Sequence, residues 1–360
     1  MLFHFTWVYA EKYGFTTDIA FKYPYGKYGT QLFFMLSGLV NAMTLLRRPS
    51  ATEYLKSRSI RILPPFLLVL GLNLLLVQWL PLRDHVQLSP ATVAANATLV
   101  PGLLGYGWIE PVTWTLQVEV QFYAVLLLLF VSGALQRPFW PIVTCLAVCG
   151  LYGRWSNHAD AAVLGSQVYV WSQWWREALI IDHFPLFAMG IFIHQGYVER
   201  RLSQKIKYAL GVLLAAAVFH AIDLRHSSPV ATVALVGLLV AAQYGKLPIL
   251  RVKPLLFISG ISYSLYLLHN NLGTVIIYYL NHSGVPPLAC FAITMVLVIA
   301  ISALVAYGIE RPLGRFVYRL WTPSKTTDAV ERSVIGPTVA RELSPEIVRP
   351  TSLAPVESCP

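Results

Sequence analysis

Long apolar runs separated by short polar stretches set the character of this chain. A helix needs about 20 apolar residues to cross the hydrocarbon of a bilayer. Runs at residues 30–46, 62–80, 115–135, 138–152, 178–197, 208–224, 229–244, 255–280 and 287–309 approach or reach that length and predict nine membrane-spanning helices. Residues 1–10 are apolar but too short to cross. They read as the outer part of a tenth span whose first half is missing, which puts the expected start inside a longer natural reading frame. After Trp321 the sequence turns to Pro, Ser, Thr and mixed charge with no helical period, and a disordered cytoplasmic tail is expected over residues 322–360. The predicted fold is thus all-α: a polytopic membrane helical bundle of about ten transmembrane spans, the first truncated, in a single membrane domain over residues 1–321.

Composition agrees with this pattern. A hydrophobic content of 56% with only 12% charged residues leaves too few charges to cover a soluble globule of 360 residues. The net charge of +10 does not point to nucleic acid, because the basic residues recur in short clusters between apolar segments instead of forming one patch with interleaved aromatics. Alternate connections carry sixteen and seven Lys and Arg, and the richer set, which includes Arg58, Arg61, Lys205, Arg251 and Arg311, is expected in the cytoplasm. Cys145, Cys149, Cys290 and Cys359 show neither a disulfide framework nor zinc spacing, so no metal site is expected.

Against this apolar background a few polar residues stand out. Glu119 begins an apolar stretch; a carboxylate inside a membrane helix costs roughly 2.5 kcal/mol or more to place there, so it is expected to face a protein interior and to work. His4, His183, His194 and His269 invite the same reading, and imidazole suits a general base at cellular pH, although a lone histidine in an apolar helix is more often a packing residue. A rise of 1.5 Å per residue puts Glu119 roughly 8 Å below the outer boundary and His269 roughly 20 Å above the inner one, so the two are expected to meet in the outer half of the bilayer. Arg58 and Arg61 are three apart, share a helical face, and stand where the third span leaves the cytoplasm. A guanidinium pair suits phosphate, and an anchor of the positive-inside kind explains the charge equally well. Glu310 and Arg311 stand at the inner end of the last span. The polar groups are expected to form one continuous passage through the bundle.

The two longest external connections, residues 81–114 and 153–177, carry Trp108, Trp114, Trp155, Trp171, Trp174 and Trp175. Such tryptophans serve as interfacial anchors or stack on sugar rings. Asn96 and Asn281 match N-x-S/T in predicted external loops, a short pattern that arises by chance.

Six segments, in order from Gly26 to Pro312, resemble the acyltransferase 3 family of integral membrane O-acyltransferases. Gly26 to Gly38 is similar to its G-x-x-G-V-x-L-F-F-x-L-S-G segment, and Arg58-Ser-Ile-Arg61-Ile-Leu-Pro64 to R-x-x-R-I-x-P. Trp114-Thr-Leu-Gln-Val-Glu119-Val-Gln-Phe122-Tyr123 resembles W-S-L-x-x-E-x-x-F-Y, with Thr115 in place of the serine, and Phe184 to Gly190 resembles the family's F-x-x-G segment. Ser262-Tyr263-Ser-Leu-Tyr266-Leu-Leu-His269 is similar to S-Y-x-x-Y-L-x-H, and Glu310-Arg311-Pro312 to the E-R-P ending. In Leu2-Phe3-His4 the histidine matches that of the F-x-H end of the family's first span, while the arginine usual about ten residues earlier would precede Met1. No extracytoplasmic hydrolase-like domain is expected after the last span, so transfer is expected to finish in the membrane unit or to pass to a separate extracytoplasmic transferase.

The resemblance implies transfer of an acyl group, most often acetyl, from cytoplasmic acyl-coenzyme A to a hydroxyl of an envelope or exported polysaccharide or glycolipid, in a bacterial inner membrane with the C-terminus cytoplasmic. Acyl-coenzyme A is then a co-substrate, no cofactor is bound permanently, and the other partners are the acceptor and membrane lipids. Arg58 and Arg61 are expected to hold coenzyme A phosphates, and His4 to accept the proton of the attacking hydroxyl. Glu119, with His269, is expected to orient that base or bind the acceptor. Ser37, Tyr123, Tyr263 and Tyr266 are candidate donors to the thioester oxyanion or to acceptor hydroxyls, and Trp114, Glu310 and Arg311 complete the polar set. A transporter, a non-catalytic glycan-export partner and an acyltransferase acting on a small glycoside such as a macrolide are the alternatives; no internal repeat of the kind transporters show is visible.

Overall fold

Two glycines decide how the central helices meet. A Cβ on Gly190 would lie 1.8 Å from the carbonyl oxygen of Met35, and one on Gly38 would lie 2.1 Å from that of Phe187. Only hydrogen fits at either place, so the helices carrying these residues cross with their backbones in contact. The computed structural model of the chain describes residues 1–17, 21–45, 50–78, 88–159, 165–223 and 228–321. Among the described residues there are helices and turns and no strand. The tail expected from residue 322 lies outside them.

In chain order, a π-helical turn, His4–Val8, runs into α1 (Tyr9–Lys12), followed by α2 (Gly26–Leu45), α3 (Ala51–Leu76), α4 (Pro90–Ala97), α5 (Trp114–Val131), α6 (Phe139–Asn157), α7 (Ser166–Ala178), α8 (Phe184–Val198), α9 (Leu202–Ile222), α10 (Pro229–Gln243), α11 (Lys253–His282), α12 (Pro287–Val305), a second π-helical turn (Ala306–Glu310) and α13 (Arg311–Trp321). Each predicted span is helical over most of its length. Among the described residues, four helices can cross a membrane by length and composition, Ala51–Leu76, Pro111–Val131, Leu202–Ile222 and Pro287–Tyr318, and Phe184–Val198 and Pro229–Gln243 are shorter apolar helices. The helices α2 and α11 are long enough, yet Gln31, Ser37 and Asn41 in one and His269, Asn270 and Asn271 in the other dilute their apolar character with buried polar groups.

The helix α8 is the axis of the bundle: every residue from Phe184 to Gln195 is buried, as expected of a helix apolar all round. It packs against α2, α9 and α6. A second group joins α11 to α12 and α3, and the N-terminal turn docks on it where Phe5 enters a notch left by Gly273, 2.2 Å from where a Cβ would stand.

The outer connections differ from their predicted form. Residues 166–178 form α7, and Trp174 Nε1 donates to the Leu103 carbonyl at 3.0 Å. Gln117 Nε2 on α5 donates to Glu177 at 2.7 Å, so this helix is clamped to the bundle. Asn96 is buried, receives the Ile109 N–H and donates to Gly107, and Asn281 is buried beneath Thr16. Both asparagines of the N-x-S/T matches are therefore structural.

Candidate active site

His4 and His269 come together although 265 positions separate them. Their rings meet edge-on, with centroids 5.0 Å apart. The Phe5 and Gly273 contact delivers the N-terminal turn to α11 one helical turn beyond His269, which is why these imidazoles face each other. His269 Nδ1 lies 2.8 Å from the Tyr266 carbonyl. A carbonyl only accepts, so the proton belongs on Nδ1 and Nε2 keeps its lone pair. His4 Nδ1 is buried with no hydrogen-bond partner among the described residues.

His4 also lines a cavity of about 700 Å³ whose wall includes Lys27, Gln31, Trp114, Arg176 and Asp182. The last two come from the outer connections. Arg176 Nε donates to Asp182 at 2.9 Å, while its Nη1 donates to Ser156 Oγ at 2.8 Å and Asn157 Oδ1 at 2.7 Å. The Asp182 carboxylate beside it holds the Arg176 guanidinium above its usual range. Ile180, two residues before Asp182, has φ 48°, an unfavourable conformation for a β-branched residue that turns the chain sharply into α8. Trp114, Phe34 and His183 close the inner end as an aromatic wall, with Phe34 at 6.0 Å from Trp114 and 5.0 Å from His183.

Glu119 belongs to a different cluster. Its Oε1 accepts from Ser37 Oγ at 3.1 Å and from the Tyr123 hydroxyl. Asn41 Nδ2 donates to Ser37 Oγ at 3.2 Å, Tyr54 donates to Asn41 Oδ1 at 2.8 Å, and the Arg58 guanidinium lies 5.5 Å from the Tyr54 ring centre and 5.4 Å from that of Tyr123. No hydrogen bond among the described residues joins Glu119 to His4 or His269, so the expected meeting does not occur. Depth along a helix fixes height but not direction. The cavity lining includes neither Glu119, Arg58 nor His269, so the single continuous passage is not seen either.

Arg58 and Arg61 also part company. Three residues on a helix are about 60° apart in azimuth, and at the rim of a bundle that separates inside from outside: Arg58 is 8% exposed, whereas Arg61 is exposed.

The tyrosine hydroxyls are committed. Tyr123 donates to Glu119, Tyr263 to the Ile62 carbonyl at 3.0 Å, and Tyr266 to the Val112 carbonyl while pairing with Thr115 Oγ1 at 2.7 Å. One hydroxyl has one proton, so none of them donates to an oxyanion as it stands. Ser264 donates to Glu310 Oε2, and Arg311 lies 4.0 Å over Tyr307 and donates to the Gly260 carbonyl at 3.2 Å. Those two motif residues tie the end of the last span to α11.

Sequence reasoning missed Glu110, Asn270, Asn271 and Asn73. Glu110, 3% exposed, accepts from Asn270 Nδ2 at 2.9 Å and from the Asn271 backbone N–H at 3.1 Å. Asn271 Nδ2 donates to Asn73 Oδ1 at 2.8 Å and to the Ile109 carbonyl at 2.9 Å. An Asn-Asn pair directly after a histidine in an apolar helix was the available signal.

An all-helical chain with apolar helices long enough for a bilayer, paired histidines and an adjoining cavity defines an integral membrane protein with a reaction-sized interior site. The chain matches the acyltransferase 3 family, described as an acyltransferase domain, over residues 1–307, and it belongs to that family. No curated protein and no solved structure matches it.

Proposed function

We propose that this membrane acyltransferase moves an acyl group, acetyl first among the candidates, from acyl-coenzyme A to a hydroxyl of a polysaccharide or glycolipid held in the outer cavity. One observation carries this reading: His4, with Nδ1 buried and unpartnered, lines a cavity large enough for a sugar unit. The acceptor hydroxyl gives its proton to His4 as its oxygen attacks the thioester carbonyl. The coenzyme A thiolate leaves and takes the proton back from the imidazolium, so the base is regenerated. Trp114 offers a ring face to the sugar, and Asp182 and Asn157 offer acceptors to its hydroxyls. Arg61, exposed on α3, suits the phosphates of the donor, whereas Arg58 braces the Glu119 cluster.

The reading carries with it about ten spans, a bacterial inner-membrane location, a cytoplasmic C-terminus and, for exported acceptors, a separate extracytoplasmic transferase. Its test is to feed [14C]acetyl-coenzyme A to membranes containing the chain or its His4→Ala variant. Label should enter the polysaccharide or lipid fraction only with the unaltered chain. Equal labelling with both, or none with either, defeats the reading.

A further inference from the structure

We propose that α7 lies along the bilayer boundary beside the His4 cavity, with the face that carries Val168, Trp171 and Trp175 sunk among lipid headgroups and the upper acyl chains. Those three and Leu179, just past the helix, stand at i, i+3, i+7 and i+11, which puts them within about 80° of one another at 3.6 residues per turn. Each is apolar and between 43% and 57% exposed. Val170, also exposed, stands off this face in the first turn.

The other side of α7 is fastened to the bundle, so the helix cannot roll to hide this face. Glu177 accepts from Gln117 Nε2 of α5 through its carboxylate and from Gln121 Nε2 through its carbonyl, the second at 3.0 Å. Ser172 is buried, and its carbonyl accepts from the Tyr152 hydroxyl of α6 at 2.9 Å. Arg176 bonds Ser156 on α6 and Asp182 beyond the helix. Trp174 spends its Nε1–H on the Leu103 carbonyl, and its half-buried ring meets those of Trp171 and Trp175 edge-on, with centroids 6.0 and 4.9 Å away. One locked tryptophan thus props the two exposed ones. An amphipathic helix at a membrane boundary keeps its apolar face in lipid and its polar face in water. Here the polar face is taken up by protein, and the apolar face is left for the surroundings to match.

Lipid, as opposed to water or a second protein, is indicated by what adjoins the face. The helix α6 exposes Trp140, Val148, Leu151 and Trp155 along one side, with a tryptophan at each end, as the aromatic belts of a membrane protein place them. The Trp140 end also carries a cation, the Lys207 ammonium 4.4 Å over the Phe139 ring. At the other end the Trp155 ring lies 5.3 Å from that of Tyr152, the residue whose hydroxyl holds Ser172. The exposed side of α6 therefore runs up to α7, and Trp171 and Trp175 extend the belt that Trp155 begins. An indole, apolar in its body and polar at its N–H, suits that boundary. The tryptophans of these connections divide accordingly: Trp155, Trp171 and Trp175 face lipid, while Trp114 and Trp174 serve the protein interior. Because Arg176 reaches the cavity wall from the same helix, the lipid that holds α7 also braces the cavity.

The test places the full chain in phosphatidylcholine nanodiscs, which leave both membrane faces open to solutes, and reads tryptophan fluorescence. The difference in emission between the unaltered chain and the Trp171→Phe, Trp175→Phe double variant belongs to the two indoles in question. An interfacial helix buries its apolar face about 5–10 Å deep, so phosphatidylcholine brominated near the headgroup end of its acyl chains should quench that difference by about half or more. Aqueous iodide should quench it less than the brominated lipid does. Quenching by iodide that equals or exceeds quenching by the lipid puts the face in water, and quenching by neither puts protein over it; either result overturns the inference. Should the double variant fail to accumulate, Val168→Cys decides. A thiol reacts as the thiolate, which lipid disfavours, so a membrane-impermeant maleimide should add label above that of the unaltered chain only after unfolding in dodecyl sulfate. Extra label on the intact nanodiscs would show the face to be wet and the inference wrong.

Discussion

The His4 ring meets the His269 ring edge-on, with 71° between their planes. His269 spends its Nδ1 proton on the Tyr266 carbonyl, which leaves the lone pair on Nε2. Replacing His269 with Phe keeps an edge contact and removes the nitrogen. Transfer should fall by about 10-fold in His269→Phe and by about 100-fold or more in His4→Ala, since a positioned base contributes about 10² to 10⁴. Initial rates with labelled acetyl-coenzyme A separate the two, and equal losses would argue that both imidazoles handle protons.

Arg58 and Arg61 should respond in opposite ways. Arg58 lies against the rings of Tyr54 and Tyr123, and a desolvated contact of this kind is worth about 2 kcal/mol. Arg58→Ala should lower the thermal midpoint in detergent. Arg61→Ala should leave the midpoint unchanged and raise the KM for acetyl-coenzyme A several-fold. A KM change in the Arg58 variant without loss of stability would restore the paired phosphate site.

A methyl group at Gly190 has nowhere to go. The 1.8 Å to Met35 oxygen is backbone on both sides, so relief requires moving whole helices. Gly190→Ala should cost about 3 kcal/mol or more, at or above the upper end for overpacking. Membrane accumulation and the thermal midpoint report it, and Gly196→Ala is the control, because the nearest atom there is a side-chain carbon at 3.4 Å.

Arg176 ties the end of α6 to the turn that carries Asp182. Its side chain is 15% exposed and that of Asp182 36%, so solvent weakens the pair. Arg176→Met should cost about 1 to 3 kcal/mol through the hydrogen bonds lost. Asp182→Asn keeps the shape and one acceptor. It should raise the acceptor concentration needed for half-maximal transfer while leaving the KM for acetyl-coenzyme A unchanged. A change in the donor KM alone would place the donor in this cavity.

The apolar pattern made the helices legible because length and hydrophobicity are local properties. It also located His4 and His269, which mark two helices by standing in otherwise apolar surroundings. Facing direction was not legible. Glu119 turns toward Ser37 on α2, a choice made by the Gly38 and Gly190 crossing that sets how α2 rotates against its neighbours. The Glu110 cluster was hidden for another reason: its carboxylate sits in a connection, where acidic residues are ordinary, and only folding buries it against Asn270 and Asn271. The helix α7 escaped prediction because its tryptophans read as interfacial anchors in an outer connection.

Where α2 and α8 touch main chain to main chain, they lose the freedom to slide past each other. Phe34 and His183, at the inner end of the cavity, and Ser37, in the Glu119 cluster, ride on this fused pair and its entrance turn. A shift that opened the His4 cavity would drag the Glu119 cluster along with it, so cavity and cluster are geared together by a pair of missing methyl groups.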